Sequence, residues 1–501
     1  MTKSLTDRTI SGINWSFLNT YGISIVNIIV GIVLARLIPP QEFGLLGMTV
    51  IFTGLADLLV SLGVGPAIIR LKELNEEHVR VGATLTITAS VLIYIIFWFA
   101  SPYIAIFFNE SRLVAILRVL SLLFIIRGVS RVSASLLTRA LDFKNILIIE
   151  LSSFTLGYAI VSVILAILGF GVWSLVIGRL LSGIISAILY LFKSHLPLKP
   201  LIRKKEFKDL AGFGSGVSLS QILQYASSNI DYIIIGKFLT PFKLGLYTRA
   251  FNLMTLPVDK ISGSIYNVLF PSFSVVQSET EKLKTAYLRT VKTVTFFLFP
   301  VLAGMAVSAE YIIKGLYGLQ WSGSIEVFRI LCIGGILRAT LGYSGAMAVA
   351  TGRIFIEVSQ QMVYLLILGS SALYLVQYGI EGVGIAVVLA LTWMFIAQSW
   401  LAIKIIKSNW NNYLKSMIPG FINLLIMVAS NLVIIFLIES FIPTAKNEIK
   451  LAFTLIINAV VFFIAIVFIP ERIKGDTFNW LLEKYQRFVP AKFKKFYYRF
   501  N

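Results

Sequence analysis

The sequence predicts an all-α polytopic membrane protein with about 14 transmembrane helices. Hydrophobic residues make up 57% of the chain and charged residues only 14%, whereas soluble globular domains are about one-quarter charged. Stretches of about 20 apolar residues, the length that crosses a bilayer core about 30 Å thick, follow one another almost from end to end. Short polar connections separate them. The chain is therefore expected to use lipid as the solvent for its outer surface.

The apolar stretches give the order of the predicted helices. They lie near 13–37, 43–68, 80–107, 112–137, 146–168, 170–192, 210–237, 244–270, 285–311, 324–350, 355–377, 380–405, 414–440 and 449–469. Because their number is even, both termini are expected on the same side of the membrane.

The distribution of lysine and arginine predicts which side that is. One alternate set of connections is strongly basic, and its link 193–209 alone holds six lysines and arginines. The opposite set holds far fewer, namely Arg36, Arg112, Lys237, Lys243, Lys314, Lys446 and Lys450. Cytoplasmic loops collect Lys and Arg, so both termini are predicted to be cytoplasmic. The net charge of +20 is attributed to these loops, and no nucleic acid is expected as a partner.

The first twelve predicted helices form an internal repeat. The segment Leu34–Leu45 aligns with Ile235–Leu246, 201 residues later, and further on Arg127 meets Arg338 at an offset of 211. The first helix of each copy is predicted to begin on the cytoplasmic side. This predicts two six-helix lobes related by a pseudo-two-fold axis along the membrane normal. The predicted parts are an N-terminal lobe 1–192, a basic cytoplasmic linker 193–209, a C-terminal lobe 210–405, two extra transmembrane helices 406–470 and a basic aromatic tail 471–501.

The tail mixes aromatic side chains with lysine and arginine. This composition suits a helix lying in the cytoplasmic headgroup layer of an anionic membrane, so membrane lipids are an expected partner. A disordered basic tail is the alternative.

Several ionisable and polar residues lie inside predicted spans, where they are costly and normally face protein or water. In a two-lobed bundle they would line a net cationic cavity, in which arginine suits phosphate because it can bind it bidentately. The alternative is that the charges only pair among themselves, with Asp57 or Asp231 held by a neighbouring cation. The candidate substrate-binding residues are Arg127, Arg131, Arg338, Arg249, Asp57, Asp231, Gln224, Arg289 and Lys292.

Enzyme signatures are missing from the sequence. It has no Walker loop, hydrolase elbow or metal-binding cluster, and its outward connections leave no room for a soluble catalytic domain. The two histidines, His78 and His195, lie in polar connections, and the single cysteine, Cys332, lies in an apolar stretch. No cofactor, metal site or intramolecular disulfide is therefore expected. A transporter is favoured over an enzyme.

Four stretches resemble the polysaccharide flippases of the multidrug/oligosaccharidyl-lipid/polysaccharide exporter superfamily, in particular the exporters of O-antigen and other lipid-linked repeat units. The resemblance covers about residues 8–405 and continues less distinctly to 470. The stretches are Leu34–Gly44, Leu137–Lys144, Leu244–Ala250 and Phe270–Ser274.

This resemblance implies two six-helix lobes with two extra C-terminal helices in the bacterial cytoplasmic membrane. The implied activity is the movement of undecaprenyl-pyrophosphate-linked oligosaccharides to the outer leaflet, with a proton or sodium ion as the coupling ion. The family has no fixed functional motif that could be assigned to positions of this sequence. The choice of candidate residues therefore rests on their position and charge. Three alternatives stay open: a drug or cation antiporter of the same superfamily, which should show an acidic cavity; a flippase for the peptidoglycan precursor; and a membrane enzyme of glycan assembly.

Overall fold

The computed structural model describes residues 5–61, 63–194, 199–211, 223–275 and 279–468. Almost all of these residues are helical, and none of them forms a strand, which confirms the prediction of an all-α protein. His195 and the predicted tail 471–501 lie outside the described residues. The chain forms two compact units, Met1–Gly245 and Leu246–Asn501.

Most helices of the first unit follow the predicted apolar stretches, but the second and fourth stretches are each divided into two helices, a π-helix interrupts the fifth, and one short helix lies in the basic link. The helices are α1 Leu5–Leu37, α2 Pro40–Ser61, α3 Val64–Arg70, α4 Glu76–Phe108, α5 Leu113–Leu120, α6 Leu122–Arg139, α7 Phe143–Ser152, the π-helix Ser153–Ile160, α8 Val161–Ile167, α9 Val172–Ser194, α10 Lys204–Ala211 and α11 Ile230–Phe238.

A long helix, α12, begins in the first unit and continues in the second. The second unit then adds two short 3₁₀ turns, at Leu319–Ser324 and Val376–Tyr378, and eight further helices. The nine helices are α12 Pro241–Val275, α13 Thr280–Val307, α14 Ala309–Tyr317, α15 Ile325–Arg338, α16 Leu341–Ala350, α17 Ile354–Leu375, α18 Gly379–Ile405, α19 Trp410–Phe441 and α20 Asn447–Phe468.

Eight helical stretches of the described residues are long and apolar enough to cross a membrane. Their outer surfaces carry large apolar side chains, such as Phe192 and Phe436, which are 79% and 69% exposed. Such surfaces are unfavourable in water and natural in lipid. The protein is thus a multi-pass membrane protein, and the total of 14 spans stays a prediction.

Two glycines of the repeated motif make a reciprocal contact within the first unit. A Cβ atom on Gly44 of α2 would overlap the carbonyl oxygen of Pro241, and one on Gly245 of α12 would overlap the carbonyl oxygen of Pro40. The sequence alignment pairs the same residues, Pro40 with Pro241 and Gly44 with Gly245. Only glycine allows helices to approach this closely. The reciprocity supports the predicted duplication.

The first unit continues past the basic link in the sequence, because α11, which follows the link, packs against the end of α4. Gly236 lies against the Phe108 ring, which would be 2.7 Å from an added Cβ atom. Lys237 Nζ donates a hydrogen bond to the Phe107 carbonyl oxygen at 2.7 Å. The predicted lobe boundaries were placed at the link from its polar composition, and they stay a prediction.

The last two long helices belong to the core of the second unit. A Cβ atom on Gly420 of α19 would lie 2.7 Å from the Thr295 carbonyl carbon of α13, and Asn423 Nδ2 donates to the Phe296 carbonyl oxygen at 3.1 Å. Asn431 of α19 exchanges two side-chain hydrogen bonds with Asn458 of α20, at 2.9 and 3.0 Å. Small residues and amide bonds of this kind hold transmembrane helices together.

Candidate functional site

An ion pair joins α6 to α2 in the first unit. The Arg127 guanidinium of α6 donates to the Asp57 carboxylate of α2. The side chains are 50% and 27% exposed, respectively. Pairing of Asp57 with a neighbouring cation is the alternative that the sequence analysis left open beside a role in substrate binding.

Close packing of α6 against α4 aims Arg127 at Asp57. A Cβ atom on Gly128, the next residue, would overlap Ser90 Oγ of α4. Thr86 Oγ1, also on α4, donates to the Gly128 carbonyl oxygen at 3.1 Å. Because Gly128 is pressed against α4, the rotation of α6 about its axis is fixed. Neighbouring residues on a helix point about 100° apart, so Arg127 is turned away from α4.

Arg131 and Tyr225 complete the surroundings of Asp57. Arg131 follows Arg127 by one helical turn, and its charge attracts the same carboxylate. The Tyr225 hydroxyl donates to the Ile51 carbonyl oxygen of α2 at 2.6 Å. A Cβ atom on Gly54 would overlap that hydroxyl, so the glycine makes room for the ring beside Asp57. Tyr225 is not among the residues predicted from the sequence, although Gln224 beside it is.

A second ion pair joins α15 to α12 in the second unit. Arg338 Nη2 lies 3.5 Å from Asp259 Oδ1, and the side chains are 36% and 56% exposed. Arg338 follows Arg127 by 211 residues, and Asp259 follows Asp57 by 202 residues. The offset of 211 is that of the aligned arginines, whereas Asp259 lies one residue beyond the position that the offset of 201 pairs with Asp57, on the helix α12 that aligns with α2. Each unit therefore carries an equivalent arginine–aspartate pair between corresponding helices.

The structure places the other predicted residues elsewhere. The Arg249 guanidinium lies over the Tyr317 ring, 6.0 Å from its centre. It is ten residues before Asp259 on α12, which is about 15 Å along a helix. Gln224 is exposed. Arg289 and Lys292 are half-buried on α13, and both have interactions of their own.

Asp231 lies in the first turn of α11 and is 2% exposed. Its Oδ1 accepts a hydrogen bond from the Tyr232 backbone N–H at 2.9 Å. A carboxylate at the first turn is favoured by the helix dipole. The position helps to explain why a buried acidic residue is tolerated there.

The two pairs share a chemical property. A lone cation inside a membrane costs about 2.5–3.5 kcal/mol on insertion scales, and each aspartate offsets that cost for its arginine. Guanidinium binds phosphate in the same forked geometry that it uses for carboxylate. An anionic group with more acceptor oxygens could therefore take the place of the aspartate. The prediction that Arg127 and Arg338 face one cavity stays a prediction.

Known proteins from several bacteria are similar to this chain along most of its length. Teichuronic acid biosynthesis protein TuaB of Bacillus subtilis is 28% identical over 425 residues, which cover 84% of this chain and 87% of TuaB. Lipopolysaccharide biosynthesis protein WzxC of Escherichia coli is 28% identical over 71% of this chain and 72% of its own. Succinoglycan biosynthesis transport protein ExoT of Rhizobium meliloti is 26% identical over 66% and 67%, respectively.

Solved structures show the same fold at low sequence identity. The lipid II flippase MurJ in an inward closed conformation superposes with a TM-score of 0.71 over 90% of this chain and 98% of MurJ, at 16% identity. An inward-facing multidrug resistance transporter of the MATE family superposes with a TM-score of 0.61 over 77% of this chain and 95% of its own, at 19% identity.

The family described as polysaccharide biosynthesis protein matches residues 33–326, more than half of the chain. That stretch includes the reciprocal glycine contact and the pair Asp57–Arg127. It confirms the family suggested by the four sequence stretches. This multi-pass membrane protein, with its MurJ-like and MATE-like fold, belongs to the polysaccharide biosynthesis protein family.

Proposed function

We propose that the protein moves an undecaprenyl-pyrophosphate-linked oligosaccharide repeat unit from the cytoplasmic leaflet to the outer leaflet of the bacterial cytoplasmic membrane. The observation that carries the proposal is the equivalent arginine–aspartate pair in each unit, Arg127–Asp57 and Arg338–Asp259. The names of the relatives TuaB, WzxC and ExoT refer to the biosynthesis of teichuronic acid, lipopolysaccharide and succinoglycan, which supports a saccharide as the cargo.

The aspartates act as internal counterions that the substrate replaces. In the absence of substrate, each carboxylate compensates its arginine. A pyrophosphate carries more charge and more acceptor oxygens than one carboxylate, and charge-assisted hydrogen bonds contribute about 1.5–3 kcal/mol each. Exchange of aspartate for pyrophosphate therefore binds the head of the substrate without leaving a cation uncompensated. The exchange is reversible, as transport requires.

Transport is coupled to a proton or a sodium ion in this proposal, with Asp57 and Asp231 as the candidate carriers. Asp57 pairs with Arg127 in the absence of substrate, and it binds the coupling ion when substrate occupies Arg127. Asp231 is buried, so gain of a proton or sodium ion would neutralise a charge that is costly inside the protein. A proton gradient and a sodium gradient, applied separately to proteoliposomes, distinguish the two ions.

The proposed orientation has both termini in the cytoplasm, from the distribution of lysine and arginine. In that orientation the basic link 193–209 meets the leaflet on which lipid-linked sugars are assembled. The protein acts on them as a transporter and not as an enzyme of glycan assembly.

Transport of a defined substrate by purified protein in proteoliposomes tests the proposal. We expect a lipid-linked oligosaccharide with a pyrophosphate bridge to reach the opposite leaflet faster than in protein-free vesicles. An organic cation in the same vesicles serves as the control, because a drug antiporter would move it. Transport of the cation without the glycolipid would contradict the proposal and favour the antiporter.

A further inference from the structure

The basic link between the predicted lobes folds into a helix that is docked on the first unit. Leu210 of α10 is fully buried in a cluster with Val64, Ile68 and Val79. The Leu201 backbone N–H donates to Thr84 Oγ1 of α4 at 3.0 Å. The described part of the link after residue 198 is therefore attached to the first unit, and the outer face of α10 is held in a fixed place.

Polar contacts secure the same docking. Arg203 pairs with Glu77 of α4, and Arg80 Nε donates to the Lys199 carbonyl oxygen at 3.1 Å. His78 Nε2 lies 3.4 Å from Asp209 Oδ2. One acidic residue and one basic residue of the link are thus used for attachment, which leaves the three lysines of α10 available for another role.

Those lysines lie on the face of α10 that points away from the protein. At about 100° per residue, Lys204, Lys205 and Lys208 fall within one arc, opposite the buried Glu206 and Leu210. All three are exposed. The helix is therefore amphipathic: its inner face packs on the first unit, and its outer face is cationic.

Large apolar side chains are exposed beside the lysines. Ile202 is 82% exposed and Phe207 is 44% exposed. The end of α9, which leads into the link, exposes Ile188 and Phe192 at 58% and 79%. Apolar side chains at the end of a transmembrane helix contact lipid, and the described part of the link likewise exposes large apolar side chains. Mixed apolar and cationic surfaces of this kind lie at the headgroup layer of membranes.

We propose that the outer surface of the link, formed by Ile202, Lys204, Lys205, Phe207 and Lys208, binds the headgroups of anionic phospholipids. The lysines contact lipid phosphates, and the two apolar side chains enter the boundary between headgroups and acyl chains. The inference rests on the proposed function in one respect: the proposed orientation assigns these headgroups to the cytoplasmic leaflet. A lysine near an anionic membrane surface gives about a fivefold gain in association.

Electron spin resonance with spin-labelled lipids tests the proposal on the full-length protein in phosphatidylcholine vesicles. The measured quantity is the association of phosphatidylglycerol relative to phosphatidylcholine at the protein surface. The test variant is K204Q/K205Q/K208Q. We expect the wild type to prefer phosphatidylglycerol and the variant to lose several-fold of that preference. Equal preference in both would overturn the proposal.

A matched control removes the same charge from another predicted cytoplasmic connection. Three exposed lysines near the junction of α18 and α19 serve this purpose, in the variant K404Q/K407Q/K415Q. We expect this variant to keep most of the preference for phosphatidylglycerol. An equal loss in both triple variants would show that net charge alone matters, and it would also overturn the proposal.

A nitroxide at position 207 supplies a second measurement, in the variant F207C/C332A, which removes the buried cysteine. We expect collisions with oxygen, which concentrates in lipid, to exceed those with a water-soluble nickel chelate. The opposite order would place Phe207 in water and contradict the proposal. Neither measurement involves transport, so a failure of the lipid-binding proposal is distinguishable from a failure of the proposed function. Loss of glycan export by K204Q/K205Q/K208Q with unchanged lipid preference would assign the lysines to the substrate instead, against the proposal.

Discussion

Replacement of Arg127 with glutamine affects stability and transport through different partners. The substitution leaves the Asp57 carboxylate without the guanidinium that pairs with it. Exposed ion pairs contribute about 0–1 kcal/mol, whereas removal of one partner of a fully buried pair costs about 3–5 kcal/mol. The side chains of Arg127 and Asp57 are 50% and 27% exposed, so we expect a loss of about 1–3 kcal/mol in the free energy of unfolding.

The double variant R127Q/D57N separates the structural contribution from the functional one. Glutamine and asparagine carry no charge, so no ion is left uncompensated and most of the lost stability should return. Transport should not return, because a neutral amide cannot replace guanidinium at a pyrophosphate. Loss of charge-assisted contacts worth about 1.5–3 kcal/mol corresponds to a decrease of about 10- to 100-fold in transport. The conservative variant R127K should keep part of the activity.

Thermal unfolding of the purified variants and glycan export at matched membrane abundance provide the two measurements. The corresponding variants R338Q, R338K and R338Q/D259N are measured alongside, with a smaller stability effect expected because Asp259 is 56% exposed and Asp57 only 27%. Normal export by both R127Q and R338Q at equal abundance would refute the reasoning and make the arginines structural. Recovery of export in the double variants would refute it as well.

Three further predictions concern topology, packing and acid stability. A cysteine in place of Lys204, in a chain with Cys332 replaced, should be labelled from the cytoplasm only; labelling from the periplasm would reverse the proposed orientation. Gly44→Ala should destabilise the protein by about 1–3 kcal/mol through overpacking, measured by thermal unfolding, and an unchanged melting temperature would contradict the glycine contact. Hydrogen bonds from the Arg112 guanidinium hold the pKa of Glu110 below its ordinary value of 4.5. The carboxylate therefore stabilises the fold above that value, and its contribution is lost as the pH falls below it; E110Q should flatten this part of the pH–stability curve, and an unchanged curve would contradict the assignment.

The helical order could be predicted from the sequence because lipid demands long apolar stretches, and the described helices follow those stretches. Arg127 and Asp57 could be selected as candidates because charge inside a span is costly. Their pairing was one of several possibilities, since sequence does not reveal how a helix is rotated about its axis. Gly128 fixes that rotation by packing on α4, which only the structure shows.

The partner of Arg338 was not predicted. Asp259 takes that role in the structure, one residue beyond the position that the offset of 201 pairs with Asp57. Tyr225 was missed because its place depends on the absence of a side chain at Gly54. Both residues owe their positions to close helix packing, which leaves little trace in apolar composition.

The preference for a pyrophosphate bridge tests the central claim most directly. The measurement compares transport of two lipid-linked oligosaccharides with the same sugar and lipid, one joined by pyrophosphate and the other by monophosphate, in proteoliposomes. We predict that the wild type prefers the pyrophosphate form and that R127Q/R338Q loses this preference along with most of its rate. Retention of the full preference by the double variant would contradict the claim that these arginines bind the pyrophosphate.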